Sequence, residues 1–152
     1  MVARLLIATL PLIALVATAC DGTTSPTEGD VRIAVQQPQT GQTTSAGTFV
    51  MSGYVADSGQ TAEELTFDGP LTQSPVPVTF RRTITGRNGT MVITGSATLT
   101  FTSQTEAALA GTWVVASGTG AYGGGEGTLT GSANFGATPP TASLTYAGTV
   151  RR

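Results

Sequence analysis

From residue 45 onward, apolar and polar residues alternate with a period of two, and no segment keeps the spacing of an amphipathic helix. The segment from Thr90 to Phe101 shows this most clearly, because threonine and serine occupy one face and apolar residues the other. The apolar positions are Met91, Ile93, Ala97, Leu99 and Phe101. Such alternation is typical of a β-strand that has one face in the core and one in water. The chain is therefore predicted to be nearly all β.

About eight short segments share this pattern, and glycine-rich turns separate them. The predicted strands are 48–56, a short one at 65–67 after an Asp57-Ser58-Gly59 turn, 77–87, 90–101, 111–117, 127–135 and 142–150, with a possible first strand at 31–35. Short strands at regular spacing are typical of a sandwich or a small barrel, and closure removes exposed strand edges. We expect an all-β, closed antiparallel barrel of about eight strands over residues 46–152.

Asn88-Gly89 lies between the two longest alternating segments. Asparagine and glycine both tolerate a positive φ, which a two-residue type I′ turn requires at both central positions. The sequence therefore predicts a β-hairpin that turns at these residues.

The beginning of the chain resembles a bacterial lipoprotein signal. A short positive start precedes the apolar run from Leu5 to Val16, which is too short to span a bilayer. Ala17-Thr18-Ala19-Cys20 is similar to a lipobox, whose cysteine becomes the acylated first residue, and Cys20 is the only cysteine. The resemblance implies a signal peptide over residues 1–19 and a cell-envelope protein that Cys20 anchors to the bilayer on the extracytoplasmic side.

Two alternatives remain for this segment. Ala17-Thr18-Ala19 also fits the cleavage site of an ordinary secretory signal, which would release the protein as a secreted one. An uncleaved anchor is the other alternative. Residues 20–45 are rich in Thr, Gln, Gly, Ser and Pro, so we expect a flexible tether there, interrupted by the possible strand 31–35.

Composition excludes several classes of function. The net charge is −2, and the seven basic residues form no stripe that could neutralise phosphates, so nucleic acid is not an expected partner. Because the sequence has no histidine, it has no Ser-His-Asp or Cys-His catalytic site and no His/Cys zinc site. We predict no catalytic residue, no metal and no cofactor.

Four carboxylates lie close together in sequence, namely Asp57, Glu63, Glu64 and Asp68. Two acids could serve a glycosidase, and several could bind calcium weakly. The simpler interpretation is a solvated strand and turn.

Two charged residues fall on apolar faces of predicted strands. Arg82 shares the face of Phe80 and Ile84, and Glu63 shares that of Leu65. Buried charges are costly unless they are paired or used. One hypothesis is that Arg82 and Glu63 form an ion pair inside the barrel, or that Arg82 binds an anionic ligand. The simpler interpretation, which we favour from the sequence, is a β-bulge or strand end that turns Arg82 to water.

The segment Gly118–Gly123 satisfies the pattern G-x-G-x-x-G. A dinucleotide site needs a helix after these glycines and a carboxylate about 20 residues later, and the sequence predicts neither. The glycines are instead expected to allow a tight strand connection over which Tyr122 packs.

The run Gly111–Gly131, which contains this turn, and the closing Tyr146–Val150 resemble the strand, G-T-G-x-Y turn, strand pattern of the allene oxide cyclase and dirigent-like barrels. The resemblance implies an eight-stranded barrel. The family includes cyclases, stereochemistry-guiding proteins without conventional catalysis, and many bacterial secreted proteins. No catalytic residue of the cyclases aligns with this sequence, so cyclase activity is not implied.

These observations favour a non-catalytic surface lipoprotein with an interaction or envelope role, whose protein partner the sequence does not identify. The first alternative is a binder of a small apolar ligand, with a cavity lined by Phe80, Trp113 and Tyr146 and with Arg82 and Glu63 inside the barrel. A cyclase-like enzyme with a buried carboxylate of raised pKa is the second. A membrane-spanning barrel is a third, although few aromatic residues are available for its girdles.

Overall fold

Eight β-strands make up most of residues 27–152, the part of the chain that this computed structural model describes. The strands are β1 (Glu28–Pro38), β2 (Thr44–Gly53), β3 (Asp57–Phe67), β4 (Val76–Gly86), β5 (Thr90–Phe101), β6 (Glu106–Gly118), β7 (Gly124–Asn134) and β8 (Thr141–Arg151). The predicted signal peptide at 1–19 and the predicted lipid attachment at Cys20 lie outside the described residues. Within residues 27–152, no helix is long and apolar enough to cross a membrane.

The strands close into a barrel in which each pairs antiparallel with the next and β8 pairs with β1. Val35 lies opposite Leu144 on β8 and opposite Phe49 on β2, so β1 has a partner on both sides. The predicted closed antiparallel barrel of eight strands is therefore confirmed. All the strands are hydrogen-bonded on both edges, which leaves no free edge for aggregation.

The barrel begins earlier than the sequence indicates. β1 extends from Glu28 to Pro38, beyond the short strand at 31–35, and β2 starts at Thr44, so much of the predicted tether belongs to the domain. Polar composition suggested disorder. However, Val31, Ile33 and Val35 all point into the core, and two neighbouring strands satisfy the backbone of β1.

Large and small residues complement each other inside the barrel. Gly95 on β5 lies opposite Phe80 on β4 and Trp113 on β6, and a Cβ atom at Gly95 would lie 2.6 Å from the Phe80 ring. Trp113 and Tyr146 pack edge to face, with ring centroids 6.2 Å apart. Inward glycines thus make room for the aromatic side chains that fill the middle of the barrel.

Two turn predictions change. Asp57-Ser58-Gly59 is not a turn, because β3 begins at Asp57. The hairpin at Asn88-Gly89 is present, and Gly89 has a positive φ of +139°, but no non-glycine residue among 27–152 does, so the turn is not type I′. The loop has three residues, Arg87, Asn88 and Gly89, whereas a type I′ hairpin turn has two, and the Asn88 side chain donates to the Ala56 carbonyl at 2.9 Å.

The two ends of the barrel differ. The closed end comprises the turns at 54–56, 87–89 and 119–123, together with the start of β1 and the end of β8. The open end comprises the turns at 39–43, 68–75, 102–105 and 135–140.

Candidate functional site: a polar cluster beneath an open cavity

Arg82, on β4, is fully buried in the middle of the barrel. Its Nε donates to the Tyr146 hydroxyl at 2.8 Å, and its Nη1 donates to Gln37 Oε1 at 2.8 Å and to Thr61 Oγ1 at 2.9 Å. Nη2 lies 2.6 Å from Glu63 Oε1, an ion-pair contact whose angle falls outside hydrogen-bond geometry. Four strands thus contribute to one set of residues, which we term the Arg82 cluster: Gln37, Thr61, Glu63, Arg82 and Tyr146.

The orientation of the Gln37 amide follows from its neighbours. Arg82 Nη1 can only donate, so it requires the amide oxygen, and the Glu63 carboxylate can only accept while ionised, so it requires the amide nitrogen. Gln37 Nε2 accordingly donates to Glu63 Oε2 at 2.6 Å. Gln37 therefore joins the cation and the anion of the pair.

Burial shifts the hydroxyl of Tyr146 toward its protonated form. It raises the pKa of Tyr146 well above the usual value, and the nearby Arg82 charge only partly opposes this effect. Tyr146 is therefore neutral at ordinary pH and accepts the Arg82 hydrogen bond as a phenol.

The Arg82 cluster distinguishes the alternatives that the sequence left open. The Arg82 guanidinium is not turned to water by a bulge, since its exposed fraction is 0%. It forms the ion pair with Glu63 that was the less favoured hypothesis, because the two residues lie directly opposite on β4 and β3. The Glu63 carboxylate balances the positive charge of the guanidinium, so an anionic ligand is not needed to compensate that charge.

A cavity extends from the Arg82 cluster to the open end, and we term it the mouth cavity. Gln37, Ser45 and Glu63 provide polar groups in its lining. Its apolar walls include Leu65, Phe67, Val78, Leu99, Leu109 and Phe135. The cavity volume is about 60 Å³, and the volume is about 660 Å³ when all the free space of the mouth, including open solvent, is counted.

The predicted cavity residues divide between the mouth cavity and the packed core. Phe80 and Glu63 line the cavity, whereas Trp113, Tyr146 and Arg82 do not. Trp113 is buried and its indole N–H donates to the Thr128 carbonyl at 3.1 Å. Among residues 27–152, buried apolar side chains, Trp113 and Tyr146 among them, thus pack the interior toward the closed end, and the mouth cavity lies toward the open end.

A second polar group lies at the closed end and was not predicted. Asp57 Oδ1 accepts the backbone N–H groups of Ser58 at 2.7 Å and Arg87 at 3.0 Å, and Oδ2 accepts the N–H of Asn88 at 3.0 Å. The hydroxyl of Tyr122, whose side chain is fully buried, donates to the same Oδ2. One carboxylate therefore ties the turn at 119–123 to the turn at 87–89.

The environment of Asp57 favours its charged form. Burial alone would raise the pKa of this carboxyl, but the hydrogen bonds from Tyr122 and from the three backbone N–H groups outweigh burial and lower the pKa below its usual value. Burial, together with the hydrogen bond to Asp57, raises the pKa of Tyr122. The pair is therefore a carboxylate and a neutral phenol.

The four carboxylates that are close in sequence separate in space. Glu63 points into the barrel and Glu64 points out, while Asp57 lies at the closed end and Asp68 in a turn of the open end. Among residues 27–152, no group of three or more His, Cys, Asp or Glu side chains is placed to hold a metal ion. Successive residues of a strand point to opposite faces, which explains why carboxylates that are close in sequence do not lie together in space.

The glycine-rich segment Gly118–Gly123 connects β6 to β7, and a strand rather than a helix follows it. Gly120 has a φ of +64°, which glycine adopts readily, and a Cβ atom there would lie 2.1 Å from the Asn88 carbonyl oxygen. The structural interpretation of these glycines is therefore confirmed, with Tyr122 packed beneath the turn. Comparisons with known protein families, with curated proteins and with solved structures find no match for this chain.

Proposed function

We propose that the protein is an exported, lipid-anchored, non-catalytic barrel that holds a small apolar molecule in its mouth cavity. The observation that carries the proposal is a set of inward-facing apolar side chains that remain only partly buried. Leu65, Phe67, Leu109 and Phe135 are examples, and all surround the same opening. Partly exposed apolar walls around a few polar groups are typical of a small-molecule site.

The dimensions of the cavity limit how such a molecule would sit. An apolar cavity of about 150 Å³ can take a benzene molecule. The cavity here is smaller, about 60 Å³, so it takes the tip of a ligand while the rest contacts the mouth walls. The site thus suits an elongated molecule that inserts one end.

The attachment proposed at Cys20 would orient the cavity. β1 begins at the closed end, and Arg152 N–H donates to the Thr27 carbonyl there at 3.0 Å. Six residues lie between Cys20 and Thr27, and the seven steps from one to the other reach at most about 25 Å. An acylated Cys20 would therefore hold the closed end near the bilayer, and the mouth cavity would face away from it.

A non-catalytic role agrees with the carboxylates inside the barrel. The cyclase-like alternative requires a buried acid of raised pKa, yet the pKa of Asp57 is lowered and Glu63 is engaged by Arg82 and Gln37. We also propose kinship with the allene oxide cyclase and dirigent-like barrels, which the eight-stranded closure and the Gly118–Tyr122 turn support.

Ligand binding is tested with a neutral apolar fluorescent dye and two matched variants of the full-length protein. Ala133 lines the mouth cavity, whereas Ala108, on the adjoining strand β6, is exposed. Ala133→Leu fills the enclosed space and should lower dye affinity by roughly tenfold or more, while Ala108→Leu should preserve it. Equal affinity in both variants would contradict the proposal.

Anchoring is tested by mass spectrometry of the residue at position 20 and by fractionation of cells. Acylation adds two or three chains, which should hold the protein in the membrane fraction during a high-salt wash. Cys20→Ala should release it to the soluble fraction. An unmodified Cys20, or a variant that stays in the membrane, would rule out the lipid anchor.

A further inference from the structure

The Arg82 cluster forms the floor of the mouth cavity and determines which ligand charge the cavity favours. Arg82 and Glu63 form a buried pair of zero net charge. A charged ligand tip placed against this pair would leave one uncompensated charge inside the barrel, and a buried unpaired charge is strongly unfavourable. An anionic tip would also face the Glu63 carboxylate, which lines the cavity, whereas Arg82 does not. The floor therefore favours a neutral tip.

The same floor has unused hydrogen-bonding capacity. Gln37 Nε2 carries two hydrogens and uses one of them on Glu63. Each oxygen of Glu63 has a second lone pair beyond its contact to Arg82 or Gln37. A neutral tip could therefore both donate to Glu63 and accept from Gln37.

Ser45 adds a third polar group at this position. It lies directly opposite Glu63 in the pairing of β2 with β3, and only 8% of its surface is exposed. Ser45 lines the mouth cavity, and its hydroxyl makes no hydrogen bond to another side chain among residues 27–152. Because a hydroxyl both donates and accepts, a ligand in the mouth could hydrogen-bond to it.

We propose that the mouth cavity selects a neutral, hydroxyl-tipped apolar molecule, whose hydroxyl group inserts first and hydrogen-bonds with Glu63, Gln37 and Ser45. A hydroxyl is a small neutral group that both donates and accepts, so it fits the floor of a cavity of about 60 Å³. The apolar body of the ligand then lies along the walls that end at Phe67 and Phe135. This inference rests on the proposed ligand-binding function and specifies its ligand class.

The experiment compares three series of straight-chain probes at neutral pH: 1-alkanols, alkanoates and alkylamines of matched chain lengths. Binding to the full-length protein is followed by calorimetry and by the fluorescence of Trp113, the only tryptophan. Two hydrogen bonds to the floor should make each alkanol bind roughly tenfold or more tightly than its alkanoate and its ammonium counterpart. Ala133→Leu should abolish this binding and Ala108→Leu should not. The two variants thus distinguish binding in the mouth cavity from non-specific uptake of the probe by the detergent that keeps the full-length protein in solution.

Ser45→Ala provides a variant with little risk to folding, because Ser45 is outside the Arg82 cluster. It should lower alkanol affinity by about two- to tenfold and leave alkanoate and alkylamine affinity unchanged. If alkanoates or alkylamines bind as tightly as alkanols in a manner that Ala133→Leu blocks, the hydroxyl preference is overturned while the ligand-binding function stands. If no series binds, the proposed function itself is overturned, and the inference with it.

Discussion

The two ends of this barrel are built from the same alternating strands but are completed differently. At the closed end, Asp57 and Tyr122 satisfy each other and three backbone N–H groups, and both side chains are largely buried. At the open end, Leu65, Phe67 and Phe135 face inward and stay partly exposed. One end is thus completed by a polar contact, while the other keeps free space bordered by apolar side chains.

The Arg82 cluster separates these two regions. Toward the closed end, Trp113 and Tyr146 fill the interior, and toward the open end Glu63 and Gln37 present polar atoms to the mouth cavity. A buried ion pair contributes little to stability compared with apolar packing. Its position as the floor of an apolar cavity fits the role in ligand selection that we propose for it.

The largest expected effect is loss of the cation in the Arg82 cluster. Arg82→Met leaves the Glu63 carboxylate buried and unpaired, which should reduce the free energy of unfolding by about 3–5 kcal/mol in urea denaturation. The double variant Arg82→Met/Glu63→Leu removes both charges and should be more stable than Arg82→Met alone. A single variant that loses less than about 1 kcal/mol would show that Glu63 is not isolated from water.

Substitution of one apolar residue in each half of the interior by alanine should show how far the two halves differ in packing. Met91, near the closed end, is fully buried, whereas Leu65 at the open end is partly exposed. Met91→Ala should cost about 2–5 kcal/mol because it creates a cavity, and Leu65→Ala should cost about 1 kcal/mol because its side chain already borders free space. Equal losses in chemical denaturation would mean that the open end is as tightly packed as the rest.

Removing the Tyr122 hydroxyl tests the polar closure. Tyr122→Phe keeps the ring but deletes a hydrogen bond to a carboxylate, so it should destabilise the protein by about 1–3 kcal/mol. In an Asp57→Asn background, the same substitution should cost clearly less, because the acceptor is no longer charged. Additive losses in this double-mutant cycle would show that the two side chains do not interact.

The smallest expected effect is a dependence on acid. Because the folded-state pKa of Asp57 lies below its ordinary value of 3.8, its stabilising contribution is fully present above that value and is lost as pH falls through the lower folded-state pKa. Thermal unfolding measured from pH 7 to roughly pH 3 should therefore show a loss of stability at the acid end that Asp57→Asn reduces. Identical acid profiles for the two proteins would assign the acid sensitivity to other carboxylates.

Most of the fold could be predicted from local alternation. β5 runs from Thr90 to Phe101, as the sequence predicts, because strict alternation fixes which face of a strand meets the core. β1 was only partly predicted, because Gln36, Gln37 and Pro38 do not have the composition of a strand. They are ordered by pairing with β8, which is distant in sequence.

The candidate site was also predicted in part from strand alternation. Alternation placed Arg82 and Glu63 on apolar faces, and their pairing was one hypothesis beside the favoured one that a bulge or strand end turns Arg82 to water. Gln37 and Ser45 were missed because a single polar residue in a polar segment has no distinguishing pattern. The contact of Tyr122 with Asp57 was also missed, since 65 residues separate the two and no local rule connects them.

The sequence by itself determined the strand identity of this protein, the inward direction of its side chains and the absence of histidine chemistry, because these depend on residue type and on a period of two. Only the tertiary structure decided that β1 completes the barrel, that Asp57 closes one end and that Trp113 fills the core while the opposite end stays hollow. These features depend on strand register and on the volumes of side chains that meet across the interior. Residues far apart in the chain set both.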